Sequence, residues 1–376
     1  MNKYLIFSSD ERSYLDLKNV VLELKNRNLP YFFLYSNSSN RIFPHQSLDN
    51  FSYDTNVEYT EEKYFSKTLG FELPFKPDIL LITNENWEPE KTILWEFKQW
   101  GCFIGCIENS TWNFNNIKTK LELASRKSFP TNCIDVFFDH SKWSLETKTQ
   151  AGWWPQKSII VGNPKFDNFT YNSKNKNIII VYGSMEKEHH YKLLEIYHNV
   201  KIKFPKYKIY YKPHPSEEID FNDLEEVNKI NDQEDFLQLL EKSSYNIGIF
   251  NSVMYYPLLM GKNIVNVDFS SSGFNDELDI KKFKGHEFNF WNNVLNFGTF
   301  ENFVNFISYD FIKKTKERNK FFENQIEKNL PSYDKDCTFI MKSKACLSKS
   351  SLLLKYFDDY NDRKASSRIV NYIENE

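Results

Sequence analysis

The residues best placed to do chemistry lie in Ile209-Tyr210-Tyr211-Lys212-Pro213-His214-Pro215. An aromatic and β-branched run ends in two prolines, which can neither donate to a sheet ladder nor continue a helix, so a strand must stop there. Residues just past the carboxyl end of a strand in an open α/β sheet face the crevice where ligands bind. Lys212 and His214 there have the chemistry to hold an anion, and a turn with two fixed φ angles keeps the imidazole in place. The plain structural readings are a surface turn with a solvated histidine, and Lys212 as an edge-strand solubiliser.

Two further stretches have the same strand-to-helix placement. Gly183-Ser184 follows an apolar run and precedes a helical one, so backbone N–H groups and a helix N-terminus can meet a phosphate. Ser184 alone is equally a plain N-cap. Asn251-Ser252 also ends a strand and opens a helix. For acid/base or nucleophilic work the carboxylates, in order, are Glu108, which ends a buried strand at the expected switch region, then Glu186, beside the Gly183-Ser184 loop, then Asp10 with Glu11 after the first strand. For each, a cap or surface role is the structural alternative. His189 and His190 lie on the same helix as Glu186, where a metal would need a third ligand, so a solvated helix face is the reading. Trp87, Trp112, Trp153 and Trp154 are the aromatics that could stack on a sugar, although large aromatics mostly fill cores.

The elements that must position these residues alternate. Apolar runs at Tyr4–Ser9, Tyr31–Ser36, Ile79–Thr83, Phe103–Ile107, Ile134–Phe138 and Ser158–Val161 read as strands with polar carboxyl ends. Between them Tyr14–Arg27, with Leu17, Val20, Val21 and Leu24 on one face, and Glu90–Gln99 read as helices. The stretch from Asn37 to Lys76 is polar and irregular. After a polar tract at Tyr171–Asn177 the alternation restarts: strands at Ile178–Tyr182, Tyr207–Lys212, Tyr245–Phe250 and Asn263–Phe269, and helices at Glu186–Phe204, Glu234–Lys242 and Ser252–Met260. From Phe300 the pattern reads as helical, over Phe300–Lys328 and Ser350–Asn375. The expected organisation is a Rossmann-like α/β domain over 1–170, a second over 171–345 and a helical tail over 346–376.

Composition narrows the function. The chain has 376 residues, enough for two domains, and 40% are hydrophobic. A net charge of −3 gives no global basic field, so nucleic acid is not an expected partner. Lysine and arginine clusters at 281–284 and 313–320 are solvated faces or peripheral membrane contacts. The five cysteines have no paired spacing. The N-terminus lacks a signal-like apolar run, and no stretch approaches eighteen apolar residues. The expected location is the cytoplasm, with peripheral contact at the inner face of the cytoplasmic membrane.

The ordered set Val161-Gly162-Asn163-Pro164-Lys165-Phe166-Asp167, Ile180-Val181-Tyr182-Gly183-Ser184, Tyr211-Lys212-Pro213-His214-Pro215, Phe250-Asn251-Ser252 and Leu259–Val265 resembles the C-terminal half of GT-B glycosyltransferases with a His-Pro motif. These are the CMP-Kdo and CMP-sialic acid transferases of bacterial surface glycans, related to CDP-glycerol glycerophosphotransferases. The resemblance covers roughly residues 160 to 270; the N-terminal half is matched only in architecture. It implies a GT-B fold, with two Rossmann-like domains facing a cleft that holds the active site and C-terminal helices crossing back to the first domain. It also implies a CMP- or CDP-activated donor, a glycan acceptor that can be lipid-linked, and no metal or other cofactor. His214 and Ser252 would hold the donor phosphate, with Lys212, Asn251, Gly183 and Ser184 around them. Glu108-Asn109-Ser110 is similar to the acidic loop of Kdo-transferase relatives. Glu186 falls near the acidic nucleophile of retaining relatives, which would be expected to use aspartate there. The rival readings are a CDP-polyol phosphotransferase, a UDP-sugar 2-epimerase on the same fold, and a non-catalytic nucleotide- or glycan-binding relative.

Overall fold

The structure is a computed structural model that describes residues 1–36, 38, 42–43, 48–58, 62, 64–83, 88–108, 133–142, 144–145, 156–170, 176–184, 187–214, 217, 227–231, 233–249, 252–268, 294–296, 344–348 and 358–376. It forms two compact units, Met1–Phe169 with Lys355–Glu376, and Thr170–Leu354.

The strands of the first unit are β1 (Tyr4–Ser8), β2 (Tyr31–Tyr35), β3 (Ser52–Thr55), β4 (Tyr64–Ser66), β5 (Phe71–Leu73), β6 (Ile79–Ile82), β7 (Phe103–Ile107), β8 (Val136–Asp139) and β9 (Ser158–Ile160). Seven of them form one sheet in the order β3-β2-β1-β6-β7-β8-β9, and β4 pairs with β5 as a separate hairpin. All neighbours in the large sheet are parallel except β3 on β2. The chain leaves β1 to one side and later returns to β6 on the other, so the switch point lies at the carboxyl ends of those two strands. The strands are apolar because both faces are covered: Tyr4, Leu5, Ile6 and Phe7 are all buried. Helix α1 (Glu11–Asn26) starts where the Asp10 carboxylate accepts the Ser13 N–H at 2.9 Å, and it buries Leu17, Val20, Val21 and Leu24 against this sheet. Helix α2 spans Glu88–Gln99.

The polar stretch from Asn37 to Lys76 is not wholly irregular, since it supplies β3 and the hairpin. Cross-strand contacts override the weak intrinsic pattern of Ser52-Tyr53-Asp54-Thr55. The Tyr53 ring stacks on Phe32 with centroids 5.5 Å apart, and the Thr55 hydroxyl donates to the Tyr31 carbonyl at 2.8 Å.

The second unit contains β10 (Ile178–Tyr182), helix α3 (Lys187–Lys203), β11 (Lys208–Lys212), helix α4 (Gln233–Lys242), β12 (Tyr245–Gly248), helix α5 (Tyr255–Leu259), β13 (Asn263–Asp268), β14 (Val294–Asn296) and β15 (Lys344–Ser348). Its sheet has the order β11-β10-β12-β13-β15-β14. The first four strands are parallel, and β15 and β14 close that edge antiparallel. A wholly helical chain beyond Phe300 is therefore corrected. The segment Lys344–Ser348 pairs Leu347 with Val265 and Ala345 with Val267, and the ladder it completes on β13 outweighs local helical preference. The second unit consequently runs past residue 345, to Leu354. The expected helix at Phe300–Lys328 lies outside the described residues.

The chain then returns to the first unit as α6 (Ala365–Asn375), whose Ile369, Val370 and Ile373 join the core beside Leu17, Val20 and Leu24. The Asp167 carboxylate caps this helix by accepting the N–H groups of Ala365 (3.1 Å) and Ser366 (2.6 Å). Both this return and the two Rossmann-like sheets match the layout that the sequence motifs imply.

Candidate functional site

In the second sheet β10 lies between β11 and β12, so the segments that follow these three parallel strands are neighbours at one carboxyl edge. They are Gly183-Ser184 after β10, Pro213-His214 after β11, and, after β12, the short 3-10 helix Ser252–Met254. The register pairs Tyr182 with Lys212, and the Gly183 N–H donates to the Lys212 carbonyl at 2.8 Å. The Gly183 amide is thus spent on extending the ladder, and what Gly183 contributes is room. A Cβ built there would overlap Glu217 Oε2 and lie 2.8 Å from the His214 backbone nitrogen.

Glu217 is a residue that sequence reasoning missed. Its Oε2 accepts the His214 N–H at 2.9 Å, its Oε1 accepts the Tyr211 hydroxyl at 2.6 Å, and its own N–H donates to the His214 carbonyl at 2.9 Å. Tyr211 is fully buried, packed edge-on to the Tyr197 ring. Burial and then the Glu217 carboxylate hold its phenol far above the usual range, so it remains a donor. The only sequence signal for Glu217 is its position three residues beyond His214.

Lys212 and His214, the two basic side chains expected from the sequence to face an anion, are both half-buried. Lys212 Nζ lies 5.6 Å from the Phe236 ring centroid, a cation–π contact that leaves the ammonium partly desolvated. Ser184 is buried, its hydroxyl 3.5 Å from His189 Nδ1 and its carbonyl accepting from His190 Nε2 at 2.8 Å. His190 is itself 3% exposed, which corrects the solvated-face reading. Its ring ties the loop before α3 to the first turn of that helix. Asn251 and Glu186 lie outside the described residues, as do Trp87, Trp112, Trp153 and Trp154.

In the first unit Asp10 and Glu108 follow β1 and β7. Both are buried and already bonded. Asp10 caps α1, while Glu108 accepts the His140 N–H at 2.7 Å through one oxygen and the Ser144 hydroxyl through the other. Among the described residues neither ring nitrogen of the buried His140 has a hydrogen-bond partner, and Nδ1 lies 3.8 Å from Glu108 Oε2. Burial lowers the His140 pKa against the opposing pull of Glu108 and Asp358.

Asp16, on α1, belongs to the same buried charge group. Burial raises its carboxyl from 3.8 to about 7, Lys165 at 3.9 Å opposes this, and Asp10 and Glu108 add to it. The folded chain therefore holds a proton that the unfolded chain releases. The stability contributed by Asp16 is full below about pH 4 and falls as pH rises to about 7, by up to about 1.4 kcal/mol per unit. Urea unfolding at stepped pH should show this slope, and Asp16→Asn should flatten it; an unchanged slope in the variant would exclude Asp16 as its source.

Among the described residues no three His, Cys, Asp or Glu side chains gather to hold a metal, and no helix is long and apolar enough to cross a membrane.

No protein-family model and no curated protein matches this sequence. Among solved structures, the chain is similar to the UDP-GlcNAc 2-epimerase from Neisseria meningitidis bound to UDP-GlcNAc. That match has 13% identity and a TM-score of 0.55, and it covers 100% of both chains. It is also similar to the wall teichoic acid polymerase TagF, at 13% identity and a TM-score of 0.58, over 99% of this chain and 88% of that one. A TagF variant soaked with CDPG matches at 14% identity and a TM-score of 0.55, over 99% and 88% of the two chains. The two Rossmann-like units and these likenesses define the class: the chain has the GT-B fold.

Proposed function

We propose that this chain is a GT-B glycosyltransferase that moves a sugar, Kdo, sialic acid or another nonulosonate, from a CMP-activated donor to a bacterial surface glycan of capsule, lipopolysaccharide or lipooligosaccharide type. The observation that supports the reading is that Lys212 and His214 lie at the carboxyl end of β11, on the same sheet edge as Gly183-Ser184 after β10 and the short helix that begins at Ser252 after β12. As the bond from the anomeric carbon to the phosphate breaks, charge accumulates on the departing phosphate. An imidazole N–H and an ammonium fixed beforehand stabilise that charge without reorganising. A charge-assisted hydrogen bond of this kind contributes about 1.5–3 kcal/mol. The acceptor hydroxyl must lose its proton, and Glu108, Glu186 and Asp10 are the carboxylates proposed for acid/base or nucleophilic work. The chemistry proposed uses no metal.

A second reading is favoured by the likeness to TagF over 99% of the chain: transfer of a polyol phosphate from a CDP-activated donor, with the same histidine and lysine on the pyrophosphate. Thermal unfolding with CMP, CDP and UDP separates the readings, because a ligand bound only by the folded state stabilises it by about 2.7 kcal/mol at a hundredfold excess over Kd. The glycosyltransferase reading expects the largest shift with CMP, and the polyol reading with CDP. A preference for UDP would move the chain to sugar epimerisation, and no shift with any of the three would remove the nucleotide-dependent reading. Product formation that survives in both Glu108→Gln and Glu186→Gln would remove those two carboxylates from the chemistry.

A further inference from the structure

We infer that Glu217 is a positioning residue for His214: its carboxylate locks the backbone of the Lys-Pro-His-Pro turn, so that the imidazole meets a donor phosphate in one orientation. This rests on the reading of His214 as the phosphate ligand. Pro213 and Pro215 have no N–H, so His214 carries the only backbone donor between Lys212 and Ser216. That donor is bound to Glu217 Oε2, and the His214 carbonyl accepts the Glu217 N–H, closing both backbone polar groups of His214 on one residue. The other carboxylate oxygen is held by the Tyr211 hydroxyl, from a fully buried side chain of β11. The tip of the turn is therefore tied through a single side chain to the core of the sheet. Gly183 supplies the space in which that carboxylate sits.

The charge of Glu217 fits this indirect role. A carboxylate repels a phosphate, so Glu217 would act through the backbone of His214 and not by touching the donor. Two hydrogen bonds from neutral donors satisfy it, the His214 N–H on one oxygen and the Tyr211 hydroxyl on the other.

The test is a double-mutant cycle on the full chain, with CMP affinity measured by calorimetry for the parent, Glu217→Ala, His214→Ala and the double variant. Glu217→Ala should weaken binding about tenfold in the parent and less than twofold once His214 is gone, because the residue acts only through that side chain. Equal losses in both backgrounds, or no loss in the parent, would overturn the inference while leaving the phosphate reading intact. If His214→Ala itself binds CMP like the parent, the phosphate reading falls and the inference falls with it. Should Glu217→Ala not fold, Glu217→Gln and Tyr211→Phe, each removing part of the tether, carry the same cycle with losses of a few-fold. Thermal unfolding of every variant accompanies the titrations, since a role confined to stability lowers the melting temperature without coupling to His214.

Discussion

Gly183→Ala is expected to cost the chain at least tenfold in nucleotide affinity and about 1–3 kcal/mol of stability. A methyl group there would overlap Glu217 Oε2 and lie 2.8 Å from the His214 backbone nitrogen and 3.0 Å from Glu217 Cδ. The side chain of Glu217 could swing aside, but only by releasing the His214 N–H and the Tyr211 hydroxyl. The His214 backbone has little freedom to yield, because prolines flank it on both sides. Either response unfastens the turn from the end of β10. Gly261→Ala is the matched control: Gly261 has φ +67° with nothing within 4 Å of its would-be Cβ, so that change brings backbone strain without a collision. Calorimetry and thermal unfolding on both variants should show stability lost in each and nucleotide binding lost only at Gly183. Retained binding in Gly183→Ala would mean that the packing of the turn against β10 does not shape the site.

Gly162→Ala is expected to release the C-terminal return from the first unit, at about 2–4 kcal/mol. Gly162 has φ +90°, which an L side chain reaches only at a cost of about 1–3 kcal/mol. Its Cβ would also lie 3.0 Å from Asp358 Oδ1 and 3.5 Å from the Ala365 Cβ. Asp358 is the peg of this joint. Its Oδ1 accepts the N–H groups of Tyr360 (3.0 Å) and Asn361 (2.8 Å), and its Oδ2 accepts that of Asn163 (3.2 Å). Displacing it leaves the buried Asn163 N–H and two part-buried ones unsatisfied and loosens the seat of Ile369, Val370 and Ile373 on α1. Urea unfolding should show a lower midpoint, and brief proteolysis should cut between 355 and 376 sooner than in the parent. An unchanged midpoint with unchanged cleavage would show that α6 is not fastened through this contact.

The strands of both sheets were legible because parallel strands covered on two faces must be apolar throughout, and Tyr4-Leu5-Ile6-Phe7 and Ile178-Ile179-Ile180-Val181 leave no other reading. The turn at His214 was legible because proline allows few conformations. Strands with a weak intrinsic pattern were not: Ser52–Thr55 is a strand because the edge of β2 offers a ladder, and Lys344–Ser348 because it pairs with both β13 and β14. The partners of polar side chains were hidden for a related reason. Glu217, His190 and Asp358 look like solvent-facing residues in sequence, and each is fixed by backbone groups that only the folded chain brings within 3.2 Å. Glu108 shows the converse. Its place after a buried strand was readable, whereas the hydrogen bonds from His140 and Ser144 that occupy both its oxygens were not.

The decisive measurement is a crystal structure of the chain soaked with CMP. The nucleotide phosphate is expected within hydrogen-bond distance of the His214 imidazole, with Glu217 still bound to the His214 N–H. A phosphate bound elsewhere, with the imidazole turned away from it, would remove His214 as the phosphate ligand.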